Sequence, residues 1–221
     1  MNKGNAGRGG WSLLVALGAA LIASPLQAHP HGWVDLSVRL EVDDRQRLTA
    51  LRQAWRMDPF YSLVLLEEIA ASDQGMEAAL DRLGSEIAET LAPQGFFTEA
   101  SRNGAPLSFA HVTDTSVLNR DGRIVLHLRL PLAEPVPLDN ARLTYRVFDP
   151  SYYIEVVHEA DDDGVPLANA LVVPDGLDCV HRILAPDPDP AQIQAAAELD
   201  RDDRAAPGLG RFFAETGVVE C

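Results

Sequence analysis

Lysine is almost absent from this sequence: Lys3 is the only one, and all other basic residues are arginines. The chain of 221 residues carries 18 basic and 33 acidic side chains, a net charge of −15 at pH 7. Such an excess of negative charge opposes binding to phosphate backbones and to anionic lipid headgroups. The composition therefore argues against nucleic acid as a partner.

Cysteine is also scarce, because Cys179 and Cys221 are the only two in the chain. In an exported protein an even number of cysteines predicts a disulfide. This bond would close a loop of about 40 residues, which stabilises a fold by ~3–4 kcal/mol on chain-entropy grounds. The alternative is a pair of thiolate metal ligands, although the sequence has no CxxC spacing.

Motifs of the common enzyme classes are missing. The chain has no GxSxG, no P-loop, no Gly-rich dinucleotide fingerprint and no HExxH, which are the signatures of several hydrolases, nucleotide enzymes and zinc proteases. Many carboxylates are present, but the sequence does not pair them. We therefore expect that the protein is not an enzyme.

The N-terminal region has the three parts of a secretory signal peptide. Lys3 and Arg8 supply positive charge, an apolar run extends from Trp11 to Ala23, and a small residue, Ala28, follows Pro25. The apolar run is shorter than the roughly 20 residues that a membrane-spanning helix needs. The pattern predicts a signal peptide over residues 1–28, cleaved after Ala28, and no stable membrane insertion afterwards. An uncleaved membrane anchor is the alternative.

Hydrophobic periodicity predicts an α+β protein with antiparallel, sandwich-like β-sheets. Residues 32–42 and 48–57 alternate as a strand pair, and residues 61–71 and 76–91 have helical spacing. We predict a single domain over residues 29–185 with a helical insertion at about 61–92. Residues 131–137 are interpreted as an irregular proline-rich link. Residues 186–221 are expected to form a Pro/Ala-rich C-terminal tail containing a short helix.

The predicted cleavage exposes His29-Pro30-His31 as the mature N-terminus. The α-amine and ring nitrogen of an N-terminal histidine chelate one metal ion, and a second histidine completes a three-nitrogen set. Pro30 has no amide N–H, which excludes binding through its backbone nitrogen. This arrangement suits Cu(II), and also Ni(II) and Zn(II). The alternative interpretation is a frayed, solvated chain end.

Other candidate ligands occur at the ends of strands. Asp58 and Asp149 each precede a proline, a position that is also typical of simple turn chemistry. Asp35 is either a partner that orients a histidine ring or an exposed strand residue. His127 and His158 lie on predicted strands and are interpreted as surface residues.

Three motifs in this order resemble the domain-of-unknown-function 1007 family. They are His29-Pro30-His31-Gly32-Trp33-Val34-Asp35, Trp55-Arg56-Met57-Asp58 and Phe148-Asp149-Pro150-Ser151-Tyr152-Tyr153. The resemblance implies an exported, periplasmic protein, often labelled a component of an ABC-type transport system and linked to nickel/cobalt-type membrane transporters. It implies no catalytic activity, and it carries His29, His31, Asp58 and Asp149 over as one metal site.

The expected cofactor is therefore one divalent transition metal, Zn, Ni, Co or Cu, and the expected partner is an inner-membrane metal transporter. Two histidines and two carboxylates favour Zn(II), Ni(II) or Co(II) over Cu(I), which prefers sulfur ligands. One alternative is a solute-binding or protein-interaction subunit without metal. Another is a copper oxidase with a histidine brace, as in lytic polysaccharide monooxygenases.

Overall fold

The computed structural model describes residues 30–73, 75–112, 114–199 and 208–221. Within them, the chain forms two β-sheets and three α-helices. The strands are β1 (Gly32–Val42), β2 (Arg47–Met57), β3 (Thr98–Arg102), β4 (Ala105–Pro106), β5 (Thr115–Arg120), β6 (Arg123–Pro137), β7 (Arg142–Val147), β8 (Ile154–His158), β9 (Leu171–Val172), β10 (Val180–Leu184) and β11 (Thr216–Glu220). The helices are α1 (Pro59–Ala70), α2 (Met76–Leu91) and α3 (Pro190–Ala197).

The first sheet has the order β5-β6-β2-β1-β8, and β9 also pairs with β1. Alternate residues of β1 are buried, from Val34 to Leu40, while those between them face outward. This pattern is the period of two that a half-buried strand requires. The pairs β1–β2, β2–β6 and β5–β6 are antiparallel, whereas β8 and β9 run parallel to β1. The sheet is therefore mixed.

The second sheet is antiparallel and has the order β10-β11-β7-β3-β4. Its strand β11, the last in the sequence, lies between β10 and β7. The final segment thus contributes an interior strand, in addition to the helix α3 that was expected there. The sequence does not predict this strand, because only five residues carry its pattern.

The two sheets share one hydrophobic core, which confirms the sandwich-like α+β architecture. Leu36 and Leu51 of the first sheet and Leu143 and Tyr145 of the second are almost fully buried. Each such side chain contributes about 1.5–3 kcal/mol through its removal from water. One polar contact also crosses between the sheets, since Gln53 donates to Thr98 Oγ1 at 3.1 Å, and Trp55 of the same strand donates to Gln53 Oε1 at 2.7 Å.

The helical pair lies between β2 and β3 in sequence, as the periodicity predicted. Helix α2 packs on the sheet through its one interior glycine: a Cβ at Gly84 would contact Val117 of β5 at 3.4 Å. Helix α1 begins at Pro59 and contacts β6, where Ser62 Oγ accepts a hydrogen bond from the Ile124 N–H. Both helices therefore rest against the first sheet near the ends of β2 and β5.

Two other local expectations differ from the structure. Residues 131–137, interpreted as an irregular link, continue β6 as a strand whose pairing with β2 shifts register between Leu48 and Ala50. A proline is tolerated there because the shift interrupts the regular ladder. His158 is buried, with 4 % of its surface exposed, rather than a surface residue.

Cys179 and Cys221 form the predicted disulfide, across a sequence separation of 42 residues. The bond joins the start of β10 to the end of β11, two neighbouring strands. Disulfides form and persist in oxidising compartments outside the cytoplasm. None of the helices in the described ranges is long and apolar enough to cross a membrane. Residues 1–28, the predicted signal peptide, lie outside the described residues.

Candidate functional site

Three strand ends converge at one edge of the first sheet. Strand β1 begins there at Gly32, and β2, which is antiparallel to β1, ends there, since Val34 pairs with Met57. Strand β8 is parallel to β1 and begins at the same edge, since Gly32 pairs with Ile154. The topology thus brings together the residues that precede β1, follow β2 and precede β8, which we call the motif edge (residues 30–33, 57–61 and 148–154).

Asp58 ends β2 and caps the N-terminus of α1. Its Oδ1 accepts a hydrogen bond from the Tyr61 N–H at 2.9 Å, and its own N–H donates to the Trp33 carbonyl at 3.0 Å. The Oδ2 atom lies against Gly32, where a Cβ would be only 2.8 Å away. Asp58 is 8 % exposed. One carboxylate oxygen therefore serves as the helix cap, and the other is directed at the residue that follows His31.

Asp149 organises the turn between β7 and β8. Its Oδ1 accepts hydrogen bonds from the N–H and hydroxyl of Ser151, at 2.9 and 2.7 Å. Its Oδ2 accepts from the N–H groups of Tyr153 and Ile154, both at 3.1 Å, and from the Ser151 hydroxyl at 2.8 Å. Both oxygens are engaged in holding the turn, which is typical of an aspartate at this position.

His31 is exposed and sits on the β7–β8 turn. Its N–H donates to the Tyr153 carbonyl at 2.9 Å, and the two rings lie 4.5 Å apart. Tyr61 completes this group: burial, followed by the charges of Glu68 and Asp58, raises its pKa. The motif edge therefore places an imidazole, a carboxylate and two phenols near one another.

The C-terminal region supports the turn that carries Asp149. The Gly208 N–H donates to the Pro150 carbonyl at 3.1 Å, and the rings of Tyr152 and Phe213 stack 4.4 Å apart. Gly210 lies so close to the Asp149 carbonyl that a Cβ would overlap it. The residues after position 207 thus fix the turn from behind, a role that the sequence analysis did not assign to the tail.

The four proposed metal ligands differ in whether and where the structure describes them. His29 lies outside the described residues. His31, Asp58 and Asp149 all lie at the motif edge, but no group of three or more His, Cys, Asp or Glu residues in the described ranges is arranged to hold a metal ion. A complete ligand set at this edge therefore needs a donor beyond those described.

The surface beside the motif edge is apolar. Helix α1 exposes Phe60, Leu63 and Val64 immediately after its cap, and Phe60 is 76 % exposed. Tyr153 and Trp33 are also largely exposed at this edge. Clustered exposed apolar side chains of this kind are typical of protein interaction surfaces.

A cavity of about 370 Å³ opens between α2 and the sheet, next to the motif edge. Its walls are apolar, with Trp55 and Phe97 stacked 6.2 Å apart, and it also touches Tyr61 and Asp149. Phe97 has a positive φ of 56°, which is unusual for a bulky residue and costs about 1–3 kcal/mol. Its carbonyl accepts from the Phe148 N–H at 3.0 Å, a contact that helps to hold this conformation.

One buried polar cluster was missed by the sequence analysis. The His158 ring joins both sheets: Nε2 is 2.7 Å from the Tyr145 hydroxyl and Nδ1 is 2.8 Å from Glu215 Oε2. Burial, followed by the charge of Glu215, raises the pKa of Tyr145 well above its usual value. The signal available in the sequence was weak, because these three residues are far apart in sequence or lie on separate strands.

Asp35, considered above as a partner for a histidine, is instead part of the outward face of the first sheet. Its carboxylate is 3.1 Å from both Arg56 and Arg123, and it accepts from the Trp33 indole at 3.2 Å. These contacts explain Asp35 as an ion-pairing strand residue.

The fold and the motif edge define a class of protein: a disulfide-linked α+β sandwich with histidine and aspartate at one sheet edge. The chain belongs to the DUF1007 family of proteins of unknown function, whose model matches residues 14–221. An uncharacterized protein of Haemophilus influenzae is 25% identical over 217 residues, covering 96% of this chain and 98% of that protein.

Among solved structures, AChBP from Bulinus truncatus covers 95% of this chain and 96% of its own, with 10% sequence identity and a TM-score of 0.29. A likeness at this level carries no argument about the function of the present chain.

Proposed function

We propose that this protein binds one divalent transition metal at the motif edge and assists an inner-membrane metal transporter in the periplasm. The supporting observation is that His31 and Asp58, far apart in sequence, come together where β1 begins and β2 ends. His29, two residues before His31, supplies the further donor that the described residues lack. The proposed role requires no catalytic step.

The chemistry of these donors selects the class of metal. Imidazole nitrogen together with a carboxylate oxygen suits Zn(II), Ni(II) and Co(II), and an N-terminal amine with two imidazoles also suits Cu(II). All of these donors must be deprotonated to bind. The reference pKa values of histidine and the α-amine, about 6.5 and 7.7–8.0, predict that affinity falls as the pH is lowered below neutral.

Asp149 has a different place in the proposal from that of Asp58. Because its two oxygens already accept hydrogen bonds from four donors, namely the Ser151 N–H and hydroxyl and the N–H groups of Tyr153 and Ile154, metal ligation by Asp149 would require some of these to be given up. Its first role is to position Tyr153, whose carbonyl binds the His31 N–H. Direct metal ligation by Asp149 remains part of the proposal, and the Asp149→Asn variant distinguishes it from a role in positioning the turn.

The exposed apolar side chains of α1 support the proposed partner. Phe60, Leu63 and Val64 follow Asp58 directly, so a membrane protein that docks on them would meet the metal site at the same time. The disulfide supports the compartment, since it requires an oxidising environment.

Native mass spectrometry and calorimetry on the mature protein, titrated in turn with Zn(II), Ni(II), Co(II) and Cu(II), test the proposal. We expect one ion per chain, with affinity reduced at least about tenfold in His31→Ala and in Asp58→Asn, in which the asparagine keeps the helix cap. His181→Ala is the matched control, because His181 is exposed on β10 of the other sheet. A protein that binds none of the four ions, or variants that bind as the wild type does, would refute it.

Asp149→Asn separates ligation from positioning. If Asp149 is a ligand, the variant loses affinity while the β7–β8 turn keeps its structure; if it positions the turn, affinity and thermal stability fall together. Either result leaves the His31 and Asp58 measurements to decide the main proposal.

The apolar cavity favours a second candidate function, the binding of an organic solute without metal. A volume of about 370 Å³ is within the range of small-molecule sites. The neutral fluorescent probe N-phenyl-1-naphthylamine is expected to bind there, and Ile87→Trp, which fills the cavity, to abolish binding. Probe binding that survives in this variant would exclude the cavity as its site, and metal titration of the same variant keeps the two functions distinct.

A further inference from the structure

The outward face of the first sheet contains a groove of about 690 Å³. Its floor crosses three strands, because Ser37 pairs with Ala54 and Ala54 pairs with His127. Ser37 and Ala54 have short side chains, while longer ones stand on both sides of this row. The groove therefore forms because a row of short side chains on β1 and β2 lies between longer ones.

Arginines line both sides of this groove. Arg39 and Arg52 are directly opposite one another on neighbouring strands, and Arg56, Arg120 and Arg123 lie on the other side. Among the described residues, two acidic ones, Asp121 and Glu159, line the same groove. In a chain whose net charge is −15, the lining of this groove therefore has more arginines than carboxylates.

Ion pairs on this face leave arginines in excess. Asp35 is shared between Arg56 and Arg123, and Glu41 between Arg52 and Arg129. Glu159 also pairs with Arg56, and Asp114 lies 4.0 Å from Arg52. Within the described part of the chain, neither Arg39 nor Arg120 forms an ion pair. Like charges directly opposite on neighbouring strands destabilise a sheet, so the Arg39–Arg52 pair has a cost that a bound anion would offset.

Unsatisfied polar atoms point to the same place. In the ranges that the structure describes, three buried side-chain nitrogen or oxygen atoms have no hydrogen-bond partner, and two of them, Arg56 Nε and His127 Nε2, belong to residues of this groove. Arg56 Nε lies 3.3 Å from Glu159 Oε1 but outside hydrogen-bond geometry. Unpaired buried polar groups are uncommon in folded proteins and call for a partner.

We propose that this groove binds a small anion with at least two carboxylate or phosphate groups. Arg52 and Arg56 are four residues apart on β2, so the two groups of arginines stand about 13 Å apart at the backbone. Each guanidinium presents a planar fork that matches a carboxylate or phosphate in a bidentate manner. The acidity of the whole chain disfavours nucleic acid and leaves a compact polyanion as the occupant.

Calorimetric titration of the metal-free protein, dialysed against chelator, tests this proposal at constant ionic strength. The probes are citrate, inorganic pyrophosphate and acetate. We expect saturable binding of one citrate or one pyrophosphate per chain, and at least tenfold weaker binding of acetate, which has a single charge. Selectivity for citrate identifies a carboxylate ligand, and selectivity for pyrophosphate a phosphate ligand.

Arg39→Gln and Arg120→Gln are the informative variants, because both side chains are exposed and their loss leaves no carboxylate without its partner. Each is expected to weaken the binding about tenfold without a change in the thermal midpoint. Arg45→Gln, which removes the same charge from the β1–β2 turn outside the groove, is the matched control.

Three results would overturn the proposal. They are the absence of binding of both multivalent probes, equal weakening in Arg45→Gln, and binding of acetate as tight as that of citrate. Because no metal is present and none of the three arginines lies at the motif edge, failure here leaves the proposed metal function untouched.

Discussion

Two histidines of this protein have opposite environments. Comparing them distinguishes a polar side chain that holds the fold together from one that is exposed to a ligand. His158 is buried between the sheets, and both of its ring nitrogens are engaged, by the Tyr145 hydroxyl and by Glu215. His31 is exposed at the motif edge, held by its backbone N–H and by ring contact with Tyr153. The same type of side chain joins two layers in one place and is exposed at the edge of a sheet in the other.

The two histidines differ in their exposure to solvent and therefore to a ligand. A buried histidine with both ring nitrogens hydrogen-bonded has no lone pair to offer a metal, whereas His31 lies exposed at the edge where we propose that the metal binds. Buried networks of this kind stabilise a unique arrangement of the layers. We therefore expect changes around His158 to alter stability and changes around His31 to alter binding.

Loss of the disulfide is expected to have the largest effect on stability. The double variant Cys179→Ser/Cys221→Ser should lose ~3–4 kcal/mol, because a loop of 42 residues is no longer closed in the unfolded chain. Urea unfolding measures the loss. Since the bond joins β10 and β11 in the second sheet, metal binding at the motif edge should persist below the unfolding transition, and its loss there would show that the two regions are coupled.

His158→Ala follows, with an expected loss of about 3 kcal/mol, because it leaves the buried Tyr145 hydroxyl without its partner and Glu215 with only the backbone N–H of residue 158. His31→Ala should cost less than about 0.5 kcal/mol, as is usual for exposed residues. Urea unfolding should show the larger loss of stability in His158→Ala, and metal titration the larger loss of affinity in His31→Ala. If one variant had the larger loss in both measurements, the distinction between the two histidines would be wrong.

Gly32→Ala should have a smaller effect on stability, about 1 kcal/mol, and a clear effect on metal binding. Its new methyl group would lie only 2.8 Å from Asp58 Oδ2, so the carboxylate must shift. Gly84→Ala is the control, since its Cβ would contact Val117 at an ordinary distance in the other part of the sheet. Unchanged metal affinity in Gly32→Ala would argue that Asp58 Oδ2 is not a ligand.

Glu155→Gln is expected to have the smallest effect, and it depends on pH. Burial, followed by the charge of Glu215, raises the pKa of Glu155. An acid with a raised folded-state pKa favours folding below its unfolded pKa, about 4.3, and this contribution is lost as the pH rises through the folded value. The variant should therefore be more stable than the wild type at pH 7, by less than about 1 kcal/mol, and equally stable near pH 4.

Thermal melts at both pH values measure this effect. Glu134→Gln, at an exposed position of β6, serves as the comparison. A gain for Glu155→Gln that persists at pH 4 would show that packing, rather than the buried charge, is responsible.

Local elements of the fold were predictable because their patterns are long. Residues 32–42 alternate over a complete strand, and residues 76–91 keep one apolar face over four turns, so both elements are found where the sequence places them. The disulfide followed from a count of two cysteines. Local periodicity and composition are sufficient for features of this kind.

Pairings between distant segments were not predictable from periodicity. Nothing in residues 154–158 indicates that β8 runs parallel to β1. Likewise, nothing in residues 216–220 indicates that β11 lies between β7 and β10. For the same reason His158 looked like a surface residue. The motif edge was expected as one site only through the family resemblance; the parallel β1–β8 pairing is what brings Asp149 to the same edge as His31 and Asp58.

The position of β11 constrains the order in which the second sheet can form. Its residues pair with Leu143 and Tyr145 on one side and with Ile183 on the other, yet among the described strands β11 comes last in sequence. While the chain emerges from the ribosome in order, the second sheet therefore lacks an interior strand, and the support behind the Asp149 turn is also missing, until residues 208–220 have been synthesised.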